Sequence, residues 1–408
     1  MNILFVHEVD WLKKVVFEIH NLAESLSLLG HRVYAIDYEN TWQKDGFWDF
    51  GGFKTKEVNG VSRALPDSAV DLRRPGFIKV PGLSRLSAGM THYREIRRTI
   101  KEKQIDIVVL YSVPTNGLQA VSAARKYSVP AVFRSIDILH KLVTYAPLRP
   151  VTRMLEKKVY SRVDAILAIP PNHSRYVVGL GAEERKVRLL LMPIDTKIFR
   201  PSEDYSEVRR KWGLDANDRV VVFIGTLFPF TGLDGFIRQF PKVTASVPGA
   251  KLLIVGDGPQ RPALERIISE LKLEKQVTIT GFQPYQTMPQ YINLADVCIN
   301  PFLNTPATRD IFPGKIVQYM ACGRATVATP LLGITSLAPG EAQGVIYTDT
   351  AEEMADKVAD LLESKERRRQ LGQAGLEYVL RAHEQTKIAR QLEAELLDII
   401  SKKPGKAV

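Results

Sequence analysis

VVFIGTL at 221–227 and LLIVGDGP at 252–259, with ITGF at 279–282 and KIVQYMACGRATVATP at 315–330, decide how this chain folds. The first two are apolar runs of buried-strand length stopped by glycine, and each precedes a helical pattern. A strand ending in glycine at the mouth of a helix leaves backbone N–H groups uncovered and aims a helix N-terminus at whatever sits there. Two such turns in one half of the chain suit an anionic ligand, a diphosphate above all. A helix starting near Lys315 adds side chains from a third direction.

Outward from that core the same alternation holds. ILFV leads into a helix through VVFEIHNLAESLSLL, stopped by Gly30, and HRVYAID follows as a second strand. IDIVVLY (105–111), a helix to Tyr127, PAVFRS (130–135), DAILAI (164–169) and KVRLLL (186–191) continue it. This predicts an α/β protein with parallel sheets covered by helices on both faces. After PIDTKIFRPS (193–202) the pattern restarts, so one domain is expected over 1–198 and a second over 199–383. Helices are expected at 351–363, 366–380 and 384–401, with no strand after VIYT (345–348).

The length of 408 residues allows two domains, each with its own core. No apolar run is long enough to span a bilayer. MNILFVHEVD lacks the basic region of a signal peptide and reads as a first strand. Cys298 and Cys322 have no metal spacing around them and fit a reducing compartment. These features point to the cytoplasm, or to a peripheral place on the inner face of the membrane. The net charge of +11 is uneven: residues 1–195 hold 29 Lys+Arg against 20 Asp+Glu. The excess lies in RRPGFIKVPGLSRL (73–86), HYREIRRTIKEK (92–103) and LRPVTRMLEKKVYSR (148–162). Such a surface suits anionic lipid headgroups or a phosphorylated acceptor, the alternative being plain solvated helix faces. Nucleic acid is not expected, because the charge is not interleaved with a binding module. Between Glu39 and Asn59 lie Trp42, Phe47, Trp48, Phe50 and Phe53 beside Gly46, Gly51 and Gly52. That loop suits a membrane interface or an acceptor cleft, or packs over the edge of the first sheet.

In order, LLGHRV, PIDTKIFRPS, VGDGP, GF, NPF and QYMACG resemble the family 4 glycosyltransferases of GT-B fold. Each piece alone is weak; the ordered set, over most of the chain, is specific. The resemblance implies two facing, doubly wound, Rossmann-like domains with an interdomain cleft. It implies a nucleotide-diphosphate sugar as donor, held mainly by the second domain, and a C-terminal helix (384–408) crossing back to the first. The implied chemistry is sugar transfer to a hydroxyl with retention of configuration, without metal or other cofactor. The acceptor expected is a lipid-linked or polysaccharide glycan.

Residue by residue the fit is partial. The family's first glycine turn reads G-R-L-x-x-x-K-G, with Arg and Lys on the diphosphate; this chain has Gly225, Thr226, Leu227, then Thr231 and Gly232. Lys315 in FPGKIVQYMACG is the replacement cation. A subset of the family carries P-x-K-x-x-E-Y-M-A-x-G, which Pro313, Lys315, Tyr319, Met320, Ala321 and Gly323 match. The paired glutamates fall on Asp310 and Gln318, and the usual histidine on Ile136, followed by Asp137. Asp137, Asp310 and Lys315 are therefore the catalytic candidates. Gly225, Thr226, Thr231, Gly256, Gly258, Phe282, Gln283, Phe312, Gly314 and Gln318 are the expected donor-binding set, with Phe282 and Gln283 near the base. Arg134, Ser135, His140, Trp42 and Trp48 fall on the acceptor side. Two other readings share the fold. A degenerate protein that binds a nucleotide or partner without turnover accounts for the lost Arg, Lys and Glu. A sugar-nucleotide epimerase needs an acidic and histidine cluster that the sequence does not offer.

Overall fold

The computed structural model describes residues 1–39, 49–143, 145–169 and 171–403, so Trp42, Phe47 and Trp48 lie outside the described residues. The chain forms two compact units: Met1–Pro193 with Gln385–Val408, and Ile194–Glu384.

The strands of the first unit are β1 (Asn2–Val6), β2 (Arg32–Ile36), β3 (Lys56–Val61), β4 (Val70–Arg74), β5 (Ile107–Leu110), β6 (Ala131–Ser135), β7 (Ala165–Ala168) and β8 (Val187–Leu189). They form one sheet in the order β3-β4-β2-β1-β5-β6-β7-β8, parallel except between β3 and β4. The helices are α1 (Glu18–Leu28), α2 (Ser84–Glu102), α3 (Gly117–Lys126), α4 (Leu139–Leu142), α5 (Arg149–Tyr160) and α6 (Pro171–Gly179). Side chains alternate across the sheet, so each strand feeds two cores. Ile3, Phe5, Ile107 and Val109 pack with Ile19, Leu22 and Leu26 of α1 on one face. Leu4, Val6, Val108 and Leu110 pack with Ile96 and Ile100 of α2 and Ala120 and Ala124 of α3 on the other. Burial on both faces is why these strands read as unbroken apolar runs.

The expected strand pattern missed β3 and β4. β3 is exposed except for Val61, and β4 ends in two buried arginines. Arg73 pairs with Glu95 and Glu102, and Arg74 with Asp10 and Asp37. β4 offers only Val70 and Leu72 as buried apolar positions before its ion-paired arginines, too short a run to read as a strand.

The second unit carries β9 (Arg219–Ile224), β10 (Ala250–Val255), β11 (Val277–Ile279), β12 (Val297–Asn300), β13 (Ala325–Ala328) and β14 (Val345–Tyr347). The sheet is parallel throughout, in the order β11-β10-β9-β12-β13-β14. Its helices are α7 (Ser206–Lys211), α8 (Leu233–Ser246), α9 (Arg261–Glu270), α10 (Met288–Leu294), α11 (Gly314–Ala321), α12 (Leu332–Thr335), α13 (Ala351–Glu363) and α14 (Lys365–Ala382). From β9 the chain steps outward to β10 and β11, then returns to lay β12 on the other side of β9. The connections after β9 and β12 therefore leave in opposite directions, and a crevice opens at their C-terminal ends. In the first unit the same reversal falls between β1 and β5.

The last helix, α15 (Gln385–Ser401), belongs to the first unit. Ile388, Leu392, Leu396 and Ile399 form its helical stripe and join the core under α1. Its polar side pairs Glu393 with His31, and Glu395 and Asp398 with Arg188. Among the described residues no helix is long and apolar enough to cross a membrane.

Candidate functional site

At the reversal of the second sheet, Gly225 follows β9 with φ 146° and Gly256 follows β10 with φ 150°, a region that disfavours side chains. A Cβ on Gly256 would stand 2.0 Å from the Gly225 carbonyl oxygen, and one on Gly258 2.7 Å from the Leu227 nitrogen. The two turns thus lie backbone against backbone. Gly225 N–H donates to Val255 O, and Leu227 N–H to Asp257 O. The Thr226 N–H between them has no acceptor among the described residues.

α11 is pinned to this turn by Tyr319. β12 pairs with β9 only as far as Cys298 opposite Val222. The Ile224 N–H farther along needs another acceptor. The buried Tyr319 hydroxyl oxygen accepts it at 2.9 Å. One turn earlier on α11, the Lys315 ammonium hangs over Gly225, with Nζ 2.5 Å from where a Cβ there would stand. The same nitrogen lies 4.1 Å from the Phe223 ring centre and 4.4 Å from that of Phe302. No carboxylate pairs with Lys315 among the described residues.

Desolvation between the rings pushes the Lys315 pKa down to about 7 from its ordinary 10.5. The two ring faces oppose that, at roughly 0.5–2 kcal/mol each, while the residue keeps partial exposure to solvent. A lysine without an internal counter-ion, poised between charged and neutral, is suited to receive an anion. The Gly314 and Lys315 N–H groups, first in α11, also lack acceptors among the described residues and carry the positive end of the helix dipole.

The other expected donor residues divide. Gln318 is half-buried on α11, one turn beyond Gly314, and its amide has no partner among the described residues. Asp310 sits just before α11, its carboxylate 3.6 Å from Arg309. Phe282 is exposed, and its turn is joined to the turn after β10 by a bridge between Gly256 and Gly281. Three side chains are occupied within the fold instead. The Thr231 hydroxyl is buried and bonded to Phe228 O and Gln260 Oε1. Gln283 donates to Thr280 O and accepts from Lys211. Phe312 stacks on His383 with ring centres 5.8 Å apart. Phe223 and Phe302 were not singled out from sequence. Each sits in a quoted strand end, VVFIG and NPF, but only the fold sets them on either side of one lysine.

In the first unit, Arg134 on β6 is buried against Glu18 of α1, with Nε 3.1 Å from Oε1, and donates to Leu167 O. It is a packing ion pair rather than an open cation, and Ser135 beside it is wholly buried. Asp137, just past β6, is half-buried without a hydrogen-bond partner among the described residues. Burial, and secondarily the charge of Glu18, push its pKa up to about 6. The His140 Nδ1 lies 2.7 Å from the buried Glu156 carboxylate and 3.1 Å from the Tyr176 hydroxyl. Glu156, which the sequence reading passed over, also accepts from Leu139 N–H and the Tyr160 hydroxyl. A lone carboxylate on the buried side of α5 was the available signal.

Two family models match the chain: "Glycosyl transferase 4-like domain" over residues 16–192 and "Glycosyl transferases group 1" over 218–364. The alpha-D-kanosaminyltransferase of Streptomyces kanamyceticus is 29% identical over 232 residues, which is 55% of this chain and 58% of that protein. A GDP-mannose-dependent alpha-(1-6)-phosphatidylinositol monomannoside mannosyltransferase of Mycobacterium tuberculosis is 26% identical over 315 residues, 76% of this chain and 78% of its own. The chain thus spans less than two thirds of the first relative and more of the second. In fold it is similar to Anabaena HepE, solved in complex with UDP, at TM-score 0.73 and 17% identity over 98% of this chain and 100% of that one. One family model falls on each sheet, and the chain belongs to the family 4-like glycosyltransferases of GT-B fold.

Proposed function

We propose that the protein is a hexosyltransferase that moves a sugar from a nucleotide-diphosphate sugar to a hydroxyl of a lipid-linked or polysaccharide acceptor, with retention of configuration. The observation that carries this is Lys315, a cation without a counter-ion among the described residues, set between two aromatic rings over the Gly225 turn. The similarity to a UDP-bound fold and to a phosphatidylinositol mannoside mannosyltransferase supports the donor and acceptor classes.

In this reading the bond from the anomeric carbon to the diphosphate breaks as the acceptor oxygen bonds to that carbon. Negative charge grows on the departing diphosphate, where Lys315, the Thr226 N–H and the first N–H groups of α11 meet it. The departing phosphate oxygen takes the acceptor's proton. Asp310 and Gln318 bind sugar and ribose hydroxyls, the exposed Phe282 lies beside the base, and Asp137 orients the acceptor hydroxyl. Positive charge comes from the protein itself, so no metal or other cofactor is required. The place of work is the cytoplasm or the inner face of the membrane.

Calorimetry across a panel of nucleotide-sugars, with release of free nucleoside diphosphate as a second readout, tests it. One donor should bind tightly and be hydrolysed slowly. No binding by any member would overturn the reading in favour of a degenerate GT-B protein, which the buried Thr231 and the missing arginine at Thr226 would then fit.

A further inference from the structure

The basic stretches of the first unit differ once their ion pairs are drawn. Arg73 and Arg74 are buried against carboxylates, and on α2 Arg98 pairs with Glu102. On α5 the pattern breaks. Arg149, Arg153 and Lys157 lie four residues apart and so share one stripe of the helix. None of the three has a carboxylate partner among the described residues.

With His140 and the Gly179–Leu180 end of α6, they line an open groove of about 570 Å³. His140 is the fixed member: Glu156 and Tyr176 hold its Nδ1, which leaves Nε2 without a partner among the described residues. Around the same helix the surface is apolar. Leu142, Tyr145, Leu148, Val151 and Met154 are each about half exposed, from 46% to 64%. Like charges on one stripe repel, and clustered apolar side chains are unfavourable in water. A free phosphate would relieve the first and an apolar peptide the second. Anionic headgroups above hydrocarbon relieve both.

We propose that this groove binds the phosphate of a phospholipid headgroup, through Arg149, Arg153, Lys157 and His140, while the apolar residues of the α4–α5 segment enter the interface beside it. This deepens the functional reading in one respect only, by taking the acceptor to be presented by a lipid; the nucleotide site plays no part.

The test is co-sedimentation of the full chain with vesicles of phosphatidylcholine alone or mixed with phosphatidylglycerol. The wild type should bind the anionic vesicles and release as salt rises. The triple variant Arg149→Ala, Arg153→Ala, Lys157→Ala should bind about a hundredfold more weakly, and His140→Gln should weaken binding further in that background or alone. A control triple, Lys101→Ala, Lys126→Ala, Arg162→Ala, removes the same charge from other exposed positions and should change little. Equal losses in the two triples would overturn the groove in favour of net charge. Glycerol phosphate binding as tightly as the vesicles, with the same dependence on the three cations, would overturn the lipid in favour of a soluble phosphate. Nucleotide-sugar affinity, measured on the two triple variants, should not move. Donor binding without vesicle binding sinks this inference and leaves the transferase reading standing; the reverse result does the opposite.

Discussion

The two sheets each reverse direction once, and the two reversals are filled differently. In the first unit, Glu8 follows β1 and its carboxylate accepts the Thr115 N–H at 2.6 Å and the Asn116 N–H at 3.0 Å, beside the N-terminus of α3. Arg85 adds a third bond at 2.6 Å. The positive end of the crevice has been given an anion from within the chain. In the second unit the corresponding crevice has a lysine that no carboxylate pairs with among the described residues, beside N–H groups that no carboxylate caps. One fold element thus receives an internal counter-ion in one half and none, among the described residues, in the other. Burial alone would not separate them; the presence or absence of an internal counter-ion does.

The largest expected effect is on the filled crevice. Glu8→Ala strands two N–H groups and Arg85, and should cost the first unit roughly 3 kcal/mol, read as an earlier transition in urea. A variant as stable as the wild type would break the comparison.

Next comes the open crevice. Lys315→Ala should weaken donor binding about tenfold to a hundredfold with the melting temperature unchanged or raised, because a desolvated ammonium has been removed. Loss of stability without loss of affinity would make Lys315 a second Glu8.

The comparison sharpens with pH. Folded Lys315 releases its proton near 7 and the unfolded lysine at 10.5, so its penalty on stability is full below about 7 and fades as pH rises to 10.5. Donor affinity should run the other way, flat below about 7 and falling above it, since a nucleotide-sugar diester does not itself titrate near neutrality. Calorimetry at pH 8 in buffers of different ionisation enthalpy should show proton uptake on binding in the wild type and none in Lys315→Ala.

The smallest effect belongs to Asp137. Its folded pKa is raised from 3.8 to about 6, so its contribution to stability is present below 3.8 and lost by about 6. If it orients the acceptor as a carboxylate, kcat/KM should show an acid limb near 6 that Asp137→Asn removes. A limb that persists in the variant assigns it to another group.

How much was legible follows from these particulars. VVVFIG and LLIVGDGP announced strand, glycine turn and helix because parallel strands buried on both faces must be apolar, and the returning backbone leaves no room for a Cβ. Strand boundaries within a residue or two came from the same runs, as did α15, whose stripe of Ile388, Leu392, Leu396 and Ile399 is visible at helical spacing. β3 and β4 were not legible, because Arg73 and Arg74 are buried by partners far along the chain.

Sequence by itself determined where the chain turns, which runs are covered on both faces and that Lys315 opens a helix beside glycine turns. Only the tertiary structure decided which charges are used internally. It gave Arg134 to Glu18 and Glu8 to the α3 N-terminus, and gave Lys315 and the α5 stripe no carboxylate among the described residues. The reason is physical: apolar periodicity is a local property of a strand or helix, whereas a counter-ion is found wherever folding places one, 116 residues away for Arg134.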